Sequence, residues 1–125
     1  MQIGQITEAL EQWAPLSYQE DYDNCGLLIG SPQNICTGIL CSLDLTEAVL
    51  DEALQKGCNL ILSHHPIIFK GIKQFDENHY VARIVLKAIQ NNMAIYAMHT
   101  NLDNLLDGVN KSLADRLHLE NRRIL

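Results

Sequence analysis

Apolar residues recur at helical spacing in four stretches of the chain and gather into short continuous runs between them. Ile3, Ile6, Leu10 and Trp13 fall three or four apart and predict a helix over residues 3–14, which Pro15 stops. Asp21-Tyr22-Asp23-Asn24-Cys25-Gly26 reads as a polar turn leading into the apolar run Leu27-Leu28-Ile29, closed by Gly30. A second turn, Ser31-Pro32-Gln33-Asn34, precedes a short strand over residues 39–43, bounded by Gly38 and Asp44. Thr46 can cap a helix carrying Val49, Ala53 and Leu54, with Gly57 where a C-terminal glycine belongs. Residues 59–62 form the next strand, which runs into Ser63-His64-His65-Pro66. After a loop of about a dozen residues, Val81, Ile84, Val85, Ala88 and Ile89 mark a helix face. Residues 94–98 are a further strand, ending in His99-Thr100-Asn101-Leu102-Asp103, and Val109, Leu113 and Leu117 mark the last helix.

Strand and helix alternating three times is the pattern of right-handed βαβ units, so the expected class is α/β with a mainly parallel sheet. Helices should cover both of its faces, which suits strands that are nearly continuously apolar. Trp13, Met93 and Met98 are expected in the core. The chain has 125 residues, the size of one domain. Its 47% hydrophobic and 19% charged residues are those of a globular protein.

Nine Lys and Arg against 15 Asp and Glu leave a net charge of −6, and the only adjacent basic pair is Arg122-Arg123. DNA or RNA as the main ligand is disfavoured, because phosphate-backbone binders cluster their basic residues. No apolar run approaches the roughly 20 residues of a membrane span. The first twenty residues show no basic and apolar leader, so a cytoplasmic chain is expected. Cys25, Cys36, Cys41 and Cys58 are irregularly spaced and read as reduced, mostly buried thiols.

The chemistry lies where the strands end. Asp44 follows the first parallel strand, His64-His65 the second, and His99 the third, with Asp103 four residues on. In an open parallel sheet, ligands collect beyond the carboxyl ends of the strands, so these residues should converge. Neighbouring histidines leaving a strand diverge and can face different ions, and Pro66 holds His65 extended. Imidazole and carboxylate without thiolate suit zinc, iron or manganese. Asp44 has a rival reading as the residue that organises the turn into the following helix. His79 and His118 read as surface residues near helix ends. Lys70 and Lys73 flank the His-His loop, where they are either solvated or able to attract an anionic substrate. No phosphate-binding G-x-x-x-x-G-K-[ST] loop, G-x-G-x-x-G, H-E-x-x-H or G-x-S-x-G is present.

Four stretches occur in order: Asp21-Tyr22-Asp23-Asn24-Cys25-Gly26-Leu27-Leu28-Ile29-Gly30, Leu43-Asp44-Leu45-Thr46-Glu47-Ala48-Val49, Ser63-His64-His65-Pro66-Ile67-Ile68-Phe69-Lys70-Gly71 and His99-Thr100-Asn101-Leu102-Asp103. Together they make the chain resemble the GTP cyclohydrolase 1 type 2 homologue family, also called NIF-three-like dinuclear metal proteins. The resemblance implies an α/β fold, two divalent ions, and commonly a toroidal hexamer. It implies His64 and His65 as ligands of different ions, Asp103 as a ligand of one, and His99 lining the pocket. The remaining His and Glu of that family, four residues apart, belong to a C-terminal half. His118 and Glu120 are two apart and are not taken as that pair. Residues 1–125 are therefore expected to be an N-terminal α/β metal-binding domain, incomplete relative to the family, ending where a strand or linker starts. Three ligands cannot satisfy two ions, so weaker binding of a single ion is expected.

Two functional classes follow. One is a metal-dependent hydrolase acting on a nucleotide or phosphate ester, with His99 as the catalytic proton-transfer group and Asp44 supporting the ligands from behind. The other is a non-enzymatic protein whose metal organises contacts with itself or with other proteins. A scaffold with purely structural histidines is the blandest alternative.

Overall fold

A computed structural model of the protein describes residues 1–123; the last two residues, where the strand or linker is expected to start, lie outside them. Four strands form one sheet: β1 (Gly26–Ile29), β2 (Ile39–Ser42), β3 (Leu60–Ser63) and β4 (Ala94–Ala97), in the order β1-β4-β3-β2. β2, β3 and β4 are parallel, as alternation with helices requires. β1 is an antiparallel edge strand, and its register against β4 shifts between Leu27 and Ile29.

Alternation of side chains across the sheet divides the core in two. Ile61 and Ile95 face helices α2 (Glu47–Gln55) and α3 (Tyr80–Gln90), packing with Leu50, Ala53, Ile84, Val85 and Ala88. Leu60, Ala94, Tyr96 and Met98 point the other way, toward Ile3, Ile6 and Leu10 of helix α1 (Ile3–Trp13). The α/β class with helices on both faces is thus realised. Thr46 caps α2, its hydroxyl accepting the Val49 N–H at 3.2 Å, and Gly57 ends that helix with φ +69°. Helix α4 (Thr100–Asp103) follows β4 at once, and α5 (Val109–Arg116) packs on α4. Among the described residues no helix is long and apolar enough to cross a membrane.

Several core expectations fail, for physical reasons. Met93 and Met98 are buried, but Trp13 is 53% exposed. The stripe of α1 turned to the sheet runs through Ile3, Thr7, Leu10 and Ala14, a helical spacing as regular as the one through Trp13. Small and weakly polar residues can line an interface that a count of large apolar residues overlooks. Val109, Leu113 and Leu117 are exposed, and only Ala114 of α5 is buried, because α5 lies against α4 rather than the sheet. Ile89 is also exposed. All four cysteines are free, yet Cys41 is exposed and the others are only half-buried, so they are less buried than expected.

Gly30 closes β1 with φ +103°, and a Cβ there would lie 2.7 Å from both Cα and Cβ of Ala94. An Ala at this position must therefore push β1 off β4 while adopting a strained backbone. Gly30→Ala is expected to destabilise the fold by about 1–3 kcal/mol, measured as a lower urea midpoint with an unchanged slope.

Candidate metal centre

The parallel register aligns the strand ends. Ser42 pairs with Ser63, and Ser63 with Ala97, so the chain leaves all three strands at one level. Pairing continues past the strands: His64 N–H donates to Ser42 O at 3.1 Å, His65 N–H to Leu43 O at 3.0 Å, and Met98 N–H to Ser63 O at 3.0 Å. Backbone bonding thereby fixes the starting points of the Asp44, His64, His65 and His99 side chains. The three imidazoles converge, with one donor nitrogen from each lying within 4.8 Å of the others. Their ring centroids are 5.0 to 5.5 Å apart.

Each histidine meets a different carboxylate. His65 Nδ1 lies 2.7 Å from Asp44 Oδ1 at the solvent-exposed rim. His64 Nε2 stands 3.8 Å from Asp103 Oδ2, too far for a hydrogen bond. His99 Nδ1 lies 2.9 Å from Asp23 Oδ1, and the Asp23 side chain is 0% exposed. A carboxylate only accepts, so in the pairs with Asp44 and Asp23 the imidazole Nδ1–H donates. In the neutral rings this leaves Nε2 of His65 and His99 with its lone pair free, the arrangement in which outer carboxylates orient metal-binding histidines. Asp44, whose role the sequence left open, is engaged with His65 rather than with its own turn.

Asp23 is the site residue that sequence reasoning missed. It lies in the loop that leads into β1, away in sequence from the carboxyl ends of the parallel strands, and only its place in the Asp21–Gly26 stretch hinted at it. Its carboxylate accepts from Asn24 N–H at 2.7 Å, from Thr100 N–H at 3.0 Å and from the Thr100 hydroxyl, and Cys25 Sγ lies 3.2 Å away. Burial alone would raise the Asp23 pKa, but the hydrogen bonds from Thr100, His99, Asn24 and Cys25 outweigh it and hold the carboxyl far below its ordinary range. The same carboxylate satisfies the first free N–H of α4, which positions that helix and Asp103 at its end. Asn101, also unanticipated and fully buried, accepts the His99 N–H at 3.0 Å and donates to Ala14 O at 2.9 Å, tying the strand end to α1.

The other sequence candidates lie elsewhere. The exposed His79 caps α3, accepting the Ala82 N–H at 3.3 Å. His118 is exposed beyond α5. Burial, reinforced by the Asp23 carboxylate, pushes the Cys25 thiol up, which keeps a soft thiolate out of the donor set. Imidazoles with a carboxylate, two rings held by further carboxylates, fit a divalent ion of the zinc, iron or manganese kind.

Residues 1–125 match the family described as Duf34/NIF3 (NGG1p interacting factor 3). A protein of Staphylococcus epidermidis named GTP cyclohydrolase 1 type 2 homolog is 46% identical over 121 residues, covering 97% of this chain and 33% of the relative. One of the same name from Clostridium acetobutylicum is 36% identical over the full 125 residues and 47% of its own length. The crystal structure of a Bacillus cereus protein related to NIF3 superposes with a TM-score of 0.93 at 38% identity, over 99% of this chain and 34% of that one. The chain thus spans about a third to a half of the length of the curated relatives it matches.

The Asp23 contacts exist only in the folded state, so its folded pKa lies below the ordinary 3.8. That contribution to stability is complete above the ordinary value and is lost as pH falls below it. Asp23→Asn is expected to be less stable than the parent at neutral pH. It should also show a shallower loss of stability between about pH 5 and pH 2, read from urea midpoints across that range.

Proposed function

Proceeding from the fact that this chain belongs to the Duf34/NIF3 family, we propose that His64, His65 and Asp103 hold divalent metal and that the site serves hydrolysis of a nucleotide or phosphate ester. The observation that carries this reading is the convergence of three imidazoles beside a carboxylate that is not hydrogen-bonded to them. The name shared by the curated relatives supports GTP as the first compound to assay.

In this reading His64 and His65 take different ions, as the family resemblance implies, and Asp103 completes the ligation of one. A bound divalent ion would supply a Lewis acid that polarises the phosphoryl or carbonyl oxygen of the group under attack. His99, with Nδ1 held by Asp23, presents Nε2 for proton transfer. Asp44 keeps the more exposed His65 ring oriented. Two ions need more ligands than these three side chains offer, so weaker loading of one ion is the state proposed for these 125 residues. Homo-oligomerisation, as a ring, belongs to the same proposal.

A second reading makes the metal an organiser of protein contacts. It is supported by the family description, which names an interacting factor, and by the exposed apolar side chains of α5.

Elemental analysis should find zinc, iron or manganese in the purified chain and none in the His64→Ala/His65→Ala variant. Absence of metal from both would overturn the proposal. Under the hydrolase reading, His99→Ala keeps its metal and loses roughly 10²- to 10⁴-fold in metal-dependent turnover. If metal loads, no phosphate ester turns over, and His64→Ala still binds its partner, the second reading is the correct one.

A further inference from the structure

The loop between β3 and α3 encloses a second feature beside the histidines. A cavity of about 480 Å³ is walled by Ile67, Phe69, Ile72 and Val81, with Lys70 and Lys73 at its lining. That volume and apolar lining suit a small organic ligand. Phe69 joins it to the metal centre: its ring lines the cavity and stands edge-on to His99, with centroids 6.3 Å apart. Tyr22 stands edge-on to Phe69, also with centroids 6.3 Å apart.

The charges are unevenly committed. The chain is acidic, and five of its nine Lys and Arg residues are already ion-paired: Lys56, Arg83, Lys87, Lys111 and Arg122. Lys70 and Lys73 form no ion pair among the described residues, although carboxylates outnumber cations. The one carboxylate lining the cavity, Asp76, accepts the Asn78 N–H of its own turn at 2.8 Å. His79, also at the lining, is committed to capping α3. Two cations without ion-pair partners among the described residues, lining a cavity whose apolar residues include an aromatic ring, make a place for an anion attached to a flat apolar body.

We propose that this cavity is the anion subsite of the centre, in which Lys70 and Lys73 hold a phosphate group whose aromatic body rests on Phe69. The remainder of the ligand then extends past Phe69 toward the histidines. Only that last placement rests on the metal-centre reading; the phosphate contact does not require a bound ion. The ligand class is a small aromatic phosphate, a description that includes nucleotides.

The test titrates phenyl phosphate and inorganic phosphate into the metal-stripped chain, followed by amide chemical shifts. Phenyl phosphate should bind more tightly than inorganic phosphate, with the largest shifts at residues 67–81. Lys70→Ala/Lys73→Ala should weaken both by roughly tenfold or more, as expected for loss of charged hydrogen bonds. Phe69→Ala should weaken phenyl phosphate alone, and Lys56→Ala neither. Binding that survives the double lysine change, or that disappears in His64→Ala/His65→Ala, would place the anion at the histidines and overturn the inference. Absence of saturable binding would overturn it too. Because the protein is metal-free throughout, a chain that never loads metal can still pass this test, and one that loads metal can fail it.

Discussion

In-register pairing of three parallel strands is the constraint on which the site depends. A parallel ladder has one register compatible with its buried side chains, since a slip of one residue turns every side chain to the opposite face. Here the register is held by Ile61 and Ile95 on the α2–α3 side and by Leu60, Ala94 and Tyr96 on the α1 side. Once those residues are seated, the ends of β2, β3 and β4 are level, and Asp44, the two histidines and His99 leave the sheet together. The hydrophobic core thereby determines the geometry of a polar cluster that contributes nothing to it.

Bringing imidazoles and carboxylates together at a half-buried strand end has a desolvation cost, and the molecule meets it unevenly. Asp44 and His65 remain largely in water, where their pairing is worth little energetically but still orients the ring. Asp23 is the opposite case. A fully shielded carboxylate would be strongly destabilising without partners, and its contacts to Thr100, His99 and Asn24 offset the loss of water. The same contacts tie a loop from the first third of the chain to the helix that carries Asp103. Order in that loop and order in the candidate site are therefore one property.

Beyond the histidines, the β3–α3 loop differs in character from the rest of the surface. Elsewhere the basic side chains are largely paired with acidic ones, as along α2 and α3, where Arg83 meets Glu47 and Lys87 meets Asp51. In the loop, lysines with no ion pair among the described residues and an exposed aromatic ring sit next to the histidine and carboxylate cluster. A lysine-bearing cavity beside the proposed metal site is an arrangement in which a single anionic ligand can meet both, and its walls Ile67, Ile72 and Val81 are at the same time packed against the core.

How much of this was legible beforehand can be judged from particular residues. The alternation of strands and helices, the cap at Thr46, the glycine at 57 and the strand-end positions of His64, His65 and His99 all follow from local spacing, because periodicity and end signals are properties of neighbouring residues. Trp13 and the apolar face of α5 were misjudged because spacing reports that a helix is amphipathic without reporting what covers it. The antiparallel setting of β1, the engagement of Asp44 with His65, and above all the burial of Asp23 against His99, 76 residues away, belong to the tertiary structure. A carboxylate in a polar turn looks like any other until folding removes its water, and which histidine then becomes its partner depends on contacts between distant segments that no local pattern encodes.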